Sequence, residues 1–282
     1  MSPGAASPKT SPASSSPATR LPLEIIEMVV AYLTHDTPSL FTCSLTCYSW
    51  YIAVFPHLHH TLTISTNSLY KNRRRVWSNP LLRQHKLGLP PVVKVLWVCG
   101  DNSSHVGFSS RLFNRYTLHP FFAFTNINQL RIDYLDIPSF MPRIQRYFGH
   151  FSQTLQYLTL DEPKGSRRQI IYFIGLFQHL EDLRLFYGRA ELREKPAEDP
   201  MLVPPFAPPL RGWLVMVNFT GVDLLKDMID LFGGLRFRYM NLFDADGMRL
   251  LLDACADTLE SVVLDPTDPR GEEFPQSCAI SG

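Results

Sequence analysis

The sequence predicts an α/β chain: a small N-terminal helical module followed by a short, irregular solenoid with a mostly parallel sheet. Three observations predict it. Residues 21–50, LPLEIIEMVVAYLTHDTPSLFTCSLTCYSW, hold seventeen apolar residues out of thirty, with only Glu24, Glu27 and Asp36 formally charged. After residue 60 the texture changes to strand-like segments that each open on a leucine: LRIDYL at Leu130, LQYLTL at Leu155, LEDLRL at Leu180, LRGWLVM at Leu210, LRFRYMNL at Leu235 and LESVVL at Leu259. Those leading leucines recur at intervals of 25, 25, 30, 25 and 24 residues, and the clearest copies carry the L-x-x-L-x-L core of a leucine-rich repeat.

Residues 1–20 are mostly Ser, Pro, Ala and Thr with nothing to bury, which predicts a disordered tail. Leu21-Pro22 then starts the helical domain, 21–60, abruptly. Proline near a first helical turn sacrifices no hydrogen bond, and Glu24 and Glu27 suit the positive end of the helix dipole. Ile25, Val29 and Leu33 make one stripe at helical spacing, with Ile26, Val30 and Leu33 beside it. The polar break from Thr34 to Pro38 ends this helix, and Thr37 or Ser39 is placed to cap a second stretch carrying Leu40, Phe41, Leu45, Tyr48 and Trp50. Two or three short helices cannot bury this much apolar surface among themselves, so part of it calls for an external partner.

Residues 61–270 form the repeat domain, and 271–282 a flexible C-terminal tail. PVVKVLWVCG is expected to join the sheet near its N-terminal end. RQIIYFIGLFQH, DLLKDMIDLF and MRLLLDACADT read as amphipathic returns between strands. The longest interval holds a Pro-rich insertion, KPAEDPMLVPPFAPP, and the segment from Leu210 to Met216 departs from the motif. A generic α/β sheet is the rival architecture.

The totals narrow the function. At 282 residues the chain has room for one or two domains, and 45% apolar content is that of a globular protein. A net charge of +1 argues against a protein built to coat nucleic acid. The charge is unevenly spread: 71–150 hold twelve Lys/Arg against three Asp/Glu, and 241–273 hold two against nine. Five scattered cysteines without a CxxC pair fit a reducing, intracellular compartment, cytoplasmic or nuclear. The N-terminus lacks the apolar segment of a secretory signal, and no apolar run reaches membrane-helix length, so no membrane partner is expected.

LPLEIIEMVVAYL, the break THDTPSL, and FTCSLTCYSW together resemble an F-box of the fungal (basidiomycete) type. PPLRGWLVMVNFTG, FGGLRFRYMNL and DACADTLESVVL are similar to the degenerate leucine-rich C-terminal regions of the same proteins. The resemblance implies a non-catalytic substrate-recognition subunit of a Skp–cullin–F-box ubiquitin ligase. Such a subunit binds a Skp-type adaptor through the F-box, reaches a cullin–RING ligase through that adaptor, and selects a protein substrate with its repeats. By position, Leu21, Pro22, Ile25, Ile26, Val29, Leu40, Leu45 and Trp50 then contribute to the adaptor surface or to the F-box core. One departure is that Tyr48-Ser49 stand where many F-boxes carry Arg or Lys. The alternative is a non-enzymatic leucine-rich interaction or scaffold protein acting outside ubiquitination.

Other signals carry less. The cluster HLHH, His57 to His60, has no acidic or cysteine partner at ligand spacing and reads as a helix end turning into a strand. Cys43 and Cys47 are one helical turn apart, as core thiols often are. KNRRR, Lys71 to Arg75, has the composition of an import signal or a solvated loop, and DADG, Asp244 to Gly247, that of a turn. No nucleophile elbow, phosphate loop, zinc-protease motif or dinucleotide loop is present, so neither enzyme chemistry nor a cofactor is indicated. On the strands, residues alternating with the leucines should share one face: Tyr157, Thr159, Asp182, Arg184, Tyr239, Asn241 and Val263. Tyr157, Arg184 and Tyr239 are the substrate-contact candidates among them, because aromatic and Arg side chains most often carry binding energy.

Overall fold

The computed structural model describes residues 21–65, 88–89, 91–99, 108–109, 121–187, 202–217, 222–243 and 247–265. The tails at 1–20 and 271–282, the basic cluster at Lys71 to Arg75 and most of DADG lie outside the described residues. The chain divides into two compact units, 1–60 and 61–282.

The first unit is three short helices: α1 (Leu23–Tyr32), α2 (Thr37–Ser44) and α3 (Tyr48–Leu58). The Pro22 carbonyl accepts from the amides of Ile25 and Ile26 at 3.1 and 3.2 Å, so proline opens α1 without losing a donor. The cap of α2 is Asp36, not Thr37 or Ser39: its carboxylate accepts from the Ser39 amide at 3.1 Å. A carboxylate one residue earlier also lies where the helix dipole favours it, and the Ser39 hydroxyl holds its pKa below the ordinary carboxylate value. The second helical stretch is two helices, because the chain leaves α2 at Leu45 and restarts at Tyr48. Five residues form the core of the unit: Ile26 and Val30 of α1, Leu40 of α2, and Ala53 and Val54 of α3. Leu33, Cys43, Trp50 and Leu58 pack around them.

The second unit is an eight-stranded sheet in sequential order, every adjacent pair parallel. Its strands are β1 (Thr61–Ser65), β2 (Val95–Cys99), β3 (Gln129–Asp133), β4 (Tyr157–Asp161), β5 (Asp182–Phe186), β6 (Trp213–Val217), β7 (Tyr239–Phe243) and β8 (Ser261–Asp265). The segment PVVKVLWVCG supplies β2 as expected, and HLHH spans the end of α3, His57 and Leu58, and the turn into β1, His59 and His60.

Strand register explains the leucines. One ladder runs Leu62, Leu96, Leu130, Leu158, Leu183, Leu214, Met240 and Val262, and a second runs Ile64, Val98, Ile132, Leu160, Leu185, Met216, Leu242 and Leu264. All but their β8 members are buried. Leu130 aligns with Leu158, not Leu155, so the first repeat was read three residues out of phase; the counterpart of Leu155 is the fully buried Ile127. The starts of successive strands repeat as well. One carbonyl accepts from two consecutive amides of the next strand segment at Lys94, Asn128, Gln156, Gly212 and Arg238.

The three amphipathic segments are helical at α6 (Arg167–Ile174), α7 (Val222–Phe232) and α8 (Met248–Cys255), while β3 and β4 are joined through the short helices α4 (Ile137–Phe140) and α5 (Ile144–Phe148). A reciprocal capping box between Ser166 and Gln169 starts α6. Helix α7 packs against α6 and α8, and Arg167–Asp223 and Arg168–Asp227 pairs at 3.1 and 3.7 Å tie α6 to α7. The core thickens beside α5 into a phenylalanine cluster, with Phe148 lying 4.9 Å from Phe173 and 5.2 Å from Phe140. Between β5 and β6 the described part of the Pro-rich insertion docks on Gly175. The Phe206 amide donates to the Gly175 carbonyl at 3.0 Å, and a Cβ on Gly175 would stand 2.3 Å from Pro204.

Candidate functional site

The helical unit separates the eight residues that sequence reasoning left as core or adaptor surface. Ile26 and Leu40 are core, buried to 1% and 2% exposure. Leu21, Pro22, Ile25, Val29 and Leu45 are exposed, Leu45 at 73%. Trp50 lies between, packed on the core, with its indole nitrogen buried and unpartnered among the described residues. Of the two neighbouring stripes on α1, the one containing Ile26 and Val30 turns inward and the one containing Ile25 and Val29 turns out.

Sequence reasoning missed further members of the exposed set. Leu23, Met28 and Tyr32 extend it along α1; Phe41 adds to it from α2, and Tyr48, Tyr51 and Ile52 from α3. Eleven of the fifteen exposed large hydrophobic side chains among the described residues fall within 21–52. Scattered apolar residues need no explanation, but this density on so short a segment calls for one. The available signal was the excess of apolar residues over what three short helices can bury.

The second candidate face is the side of the sheet opposite the leucine ladders. Near β2 and β3 it is built from polar groups that satisfy one another. The Arg131 guanidinium lies 4.4 Å from the Trp97 ring centre, and Asp133 accepts from both Trp97 Nε1 and Arg131 Nε at 3.1 Å. Asp161 stands 3.7 Å from the same guanidinium. Neighbouring Cys99 is pushed up to about 11 by burial and by Asp133, so at neutral pH it is a thiol rather than a nucleophilic thiolate.

Toward β5–β7 the face becomes aromatic. Trp213 and Tyr239 stack at 4.7 Å with rings 23° apart, and Tyr239 Oη donates to Glu260 at 2.7 Å, which raises the phenol's pKa. Arg211 reaches Glu181 at 2.9 Å and Arg238 reaches Glu260 at 3.7 Å along the same edge. Tyr157, Arg184 and Tyr239 all lie on this face, half-buried. Tyr157 is in register with Asp182, and Arg184 with Thr159 and Val215, so these two occupy adjacent strands. Tyr239 is two strands beyond Arg184 and joins Trp213 instead.

Two residues expected on this surface are buried: Thr159 and Asp182. Asp182 accepts from the Trp213 amide at 2.8 Å; burial raises its pKa, against the opposing effects of that amide and Arg184. Gly212 makes the approach possible, since a Cβ there would fall 1.7 Å from Asp182 Oδ1. Trp213 went unnoticed because its segment lacks a clean repeat motif, yet its position one residue before the buried Leu214 already placed it outward. Phe186, Val215, Val217 and Phe243 form a small apolar cluster on the same face.

Among the described residues no group of three or more His, Cys, Asp or Glu side chains is placed to hold a metal ion. No helix among them is long and apolar enough to cross a membrane. Comparison with known families matches residues 18–65 to a family described as F-box-like. The match covers all three helices and runs on through β1. No curated protein matches the chain, nor does any solved structure.

Proposed function

We propose that this protein is a non-catalytic substrate-recognition subunit of a Skp–cullin–F-box ubiquitin ligase, of the fungal type its sequence resembles, acting in the cytoplasm or nucleus. The observation that carries the reading is the exposed apolar face of the helical unit within an F-box-like domain. F-box domains generally bind Skp-type adaptors, and an adaptor's apolar helices are the partner such a face requires. The adaptor in turn links the chain to a cullin–RING ligase. The sequential parallel sheet is read as a leucine-rich-repeat-like solenoid whose polar and aromatic face receives the substrate. Tyr157, Arg184 and Tyr239 are its proposed contacts, with Trp213 completing the Tyr239 platform.

Affinity capture of the full chain from cells, followed by quantification of adaptor and cullin, tests the reading. Recovery of both is the expected result. Adaptor without cullin would replace the ligase role with a scaffold role, and recovery of neither would reduce the helical unit to an accessory of the sheet.

A further inference from the structure

On the polar and aromatic face of the sheet and along its edge, three arginines are paired with acids and a fourth is not. Arg131 pairs with Asp133, Arg211 with Glu181 and Arg238 with Glu260. Arg184, half-buried at the centre of β5, makes no hydrogen bond or ion pair among the described residues. The acid two residues back on the same strand and face, Asp182, is committed elsewhere. Its Oδ1 accepts from the Trp213 amide at 2.8 Å, an approach that Gly212 permits. The Glu181 carbonyl at that junction takes the Gly212 amide alone, whereas the carbonyls of Gln156, Gly212 and Arg238 take two amides each. Asp182 thus replaces a backbone acceptor that neighbouring repeats supply, and it acts on Arg184 only as a nearby charge. The residues in register with Arg184 are Thr159 on β4 and Val215 on β6, both buried and uncharged. Thr159, only 7% exposed, also makes no side-chain hydrogen bond among the described residues. A guanidinium and a hydroxyl, both unused, therefore stand on adjacent strands about 4.8 Å apart.

We infer that Arg184, helped by the Thr159 hydroxyl, binds an acidic side chain of the substrate. The inference rests on the reading of this face as the substrate surface and names the chemistry that surface selects. A guanidinium only donates and is always charged, so its complement is an anionic acceptor, and a carboxylate matches its fork with two parallel bonds. In a half-buried setting flanked by Val215 such a pair is screened less than at an exposed site. The residue beside the acid is apolar. Tyr157 on β4 and Trp213 on β6 each stand one strand away from Arg184 and two positions toward the strand start, so they flank the site with rings. The opposite choice, a basic segment drawn to Asp182, is disfavoured: Asp182 is buried with one oxygen on the Trp213 amide, burial raises its pKa, and a cation approaching it must pass Arg184. The substrate class is therefore a protein with an exposed Asp or Glu next to an aliphatic or aromatic residue.

The test is selection of a random-peptide display library on the purified full chain, followed by affinity measurements on a selected peptide. The parent should enrich Asp or Glu beside an apolar residue. Exchanging the peptide's carboxylate for the matching amide should weaken binding to the parent about tenfold or more. Against Arg184→Ala the same exchange should change almost nothing, because the two changes remove one contact. Arg184→Lys, which keeps the charge and loses the fork, should fall between them. The peptide-side exchange needs no protein variant, so it stands even where a substitution at Arg184 disturbs folding. Enrichment of Lys or Arg, or no preference for acids, overturns the inference and leaves the face as a peptide-binding surface. Equal losses in parent and Arg184→Ala overturn it as well, since the carboxylate is then bound elsewhere. Selection of no peptide overturns both the inference and the substrate-face reading, while capture of adaptor and cullin still judges the helical unit separately.

Discussion

His150 is packed among the rings of Phe121, Phe122 and Phe151, at 5.4, 5.3 and 3.8 Å between centroids. Burial pushes its pKa down to about 4, so the folded protein holds it neutral far below the ordinary histidine value of 6.5. The unfolded chain binds the proton first as pH falls, and stability present above pH 6.5 is therefore lost progressively down to about 4. The loss from this residue should reach roughly 2–3 kcal/mol. Urea midpoints measured from pH 7 to 4 should fall more steeply for the parent than for His150→Phe; equal slopes would remove His150 as the cause. A second single-residue dependence joins Gly212 to Asp182. Gly212→Ala should cost about 2–4 kcal/mol, because the new methyl displaces a buried carboxylate from the Trp213 amide. In an Asp182→Ala background the same change should cost far less, and additive costs in a double-mutant cycle would contradict the contact. Neither dependence was legible in the sequence. Each rests on which side chain meets which backbone atom, a matter settled by register and not by residue type.

At the scale of elements, most of the architecture was legible because burial imposes periodicity. Strand segments appeared wherever alternate leucines recurred, and the three amphipathic returns are helices where their pattern placed them. The errors share a cause, which is that composition does not fix phase. Leu130 reads as the start of a repeat but lies inside β3, at its second position, because several leucines in one segment satisfy the same motif. On α1 two adjacent stripes were equally apolar, and only packing against Leu40, Ala53 and Val54 selects Ile26 and Val30 for the core. The same packing gives Trp50 its role. As a partly buried side chain against that core, Trp50→Ala should lower the stability of the helical unit by on the order of 2–4 kcal/mol. An unchanged melt of the helical signal, with adaptor affinity also unchanged, would contradict it. Replacing Ile26 with Asp would test folding rather than docking, since the charge would enter the core.

The whole molecule places two different faces on two compact units, and their functions should separate by mutation. Changing Tyr157, Arg184 and Tyr239 together to Ala should leave adaptor capture intact while removing substrates from a proximity-labelling comparison. An unchanged substrate set would move recognition to the loops, foremost the Pro-rich insertion between Lys195 and Pro209. The existence of an exposed apolar face was legible in the sequence as an excess of apolar residues, but its composition was not, because core and surface draw on the same residue types. The central claim is that the exposed stripe of the helical unit is the adaptor-docking surface. The measurement that tests it most directly is the affinity of the purified chain for a Skp-type adaptor, compared between the parent and an Ile25→Asp, Leu45→Asp double variant. Both positions are exposed, so the variant should melt with the parent, whereas desolvating two unpaired carboxylates at the interface should weaken binding at least a hundredfold, about 3 kcal/mol. A variant that melts normally and binds the adaptor as tightly as the parent would contradict the account.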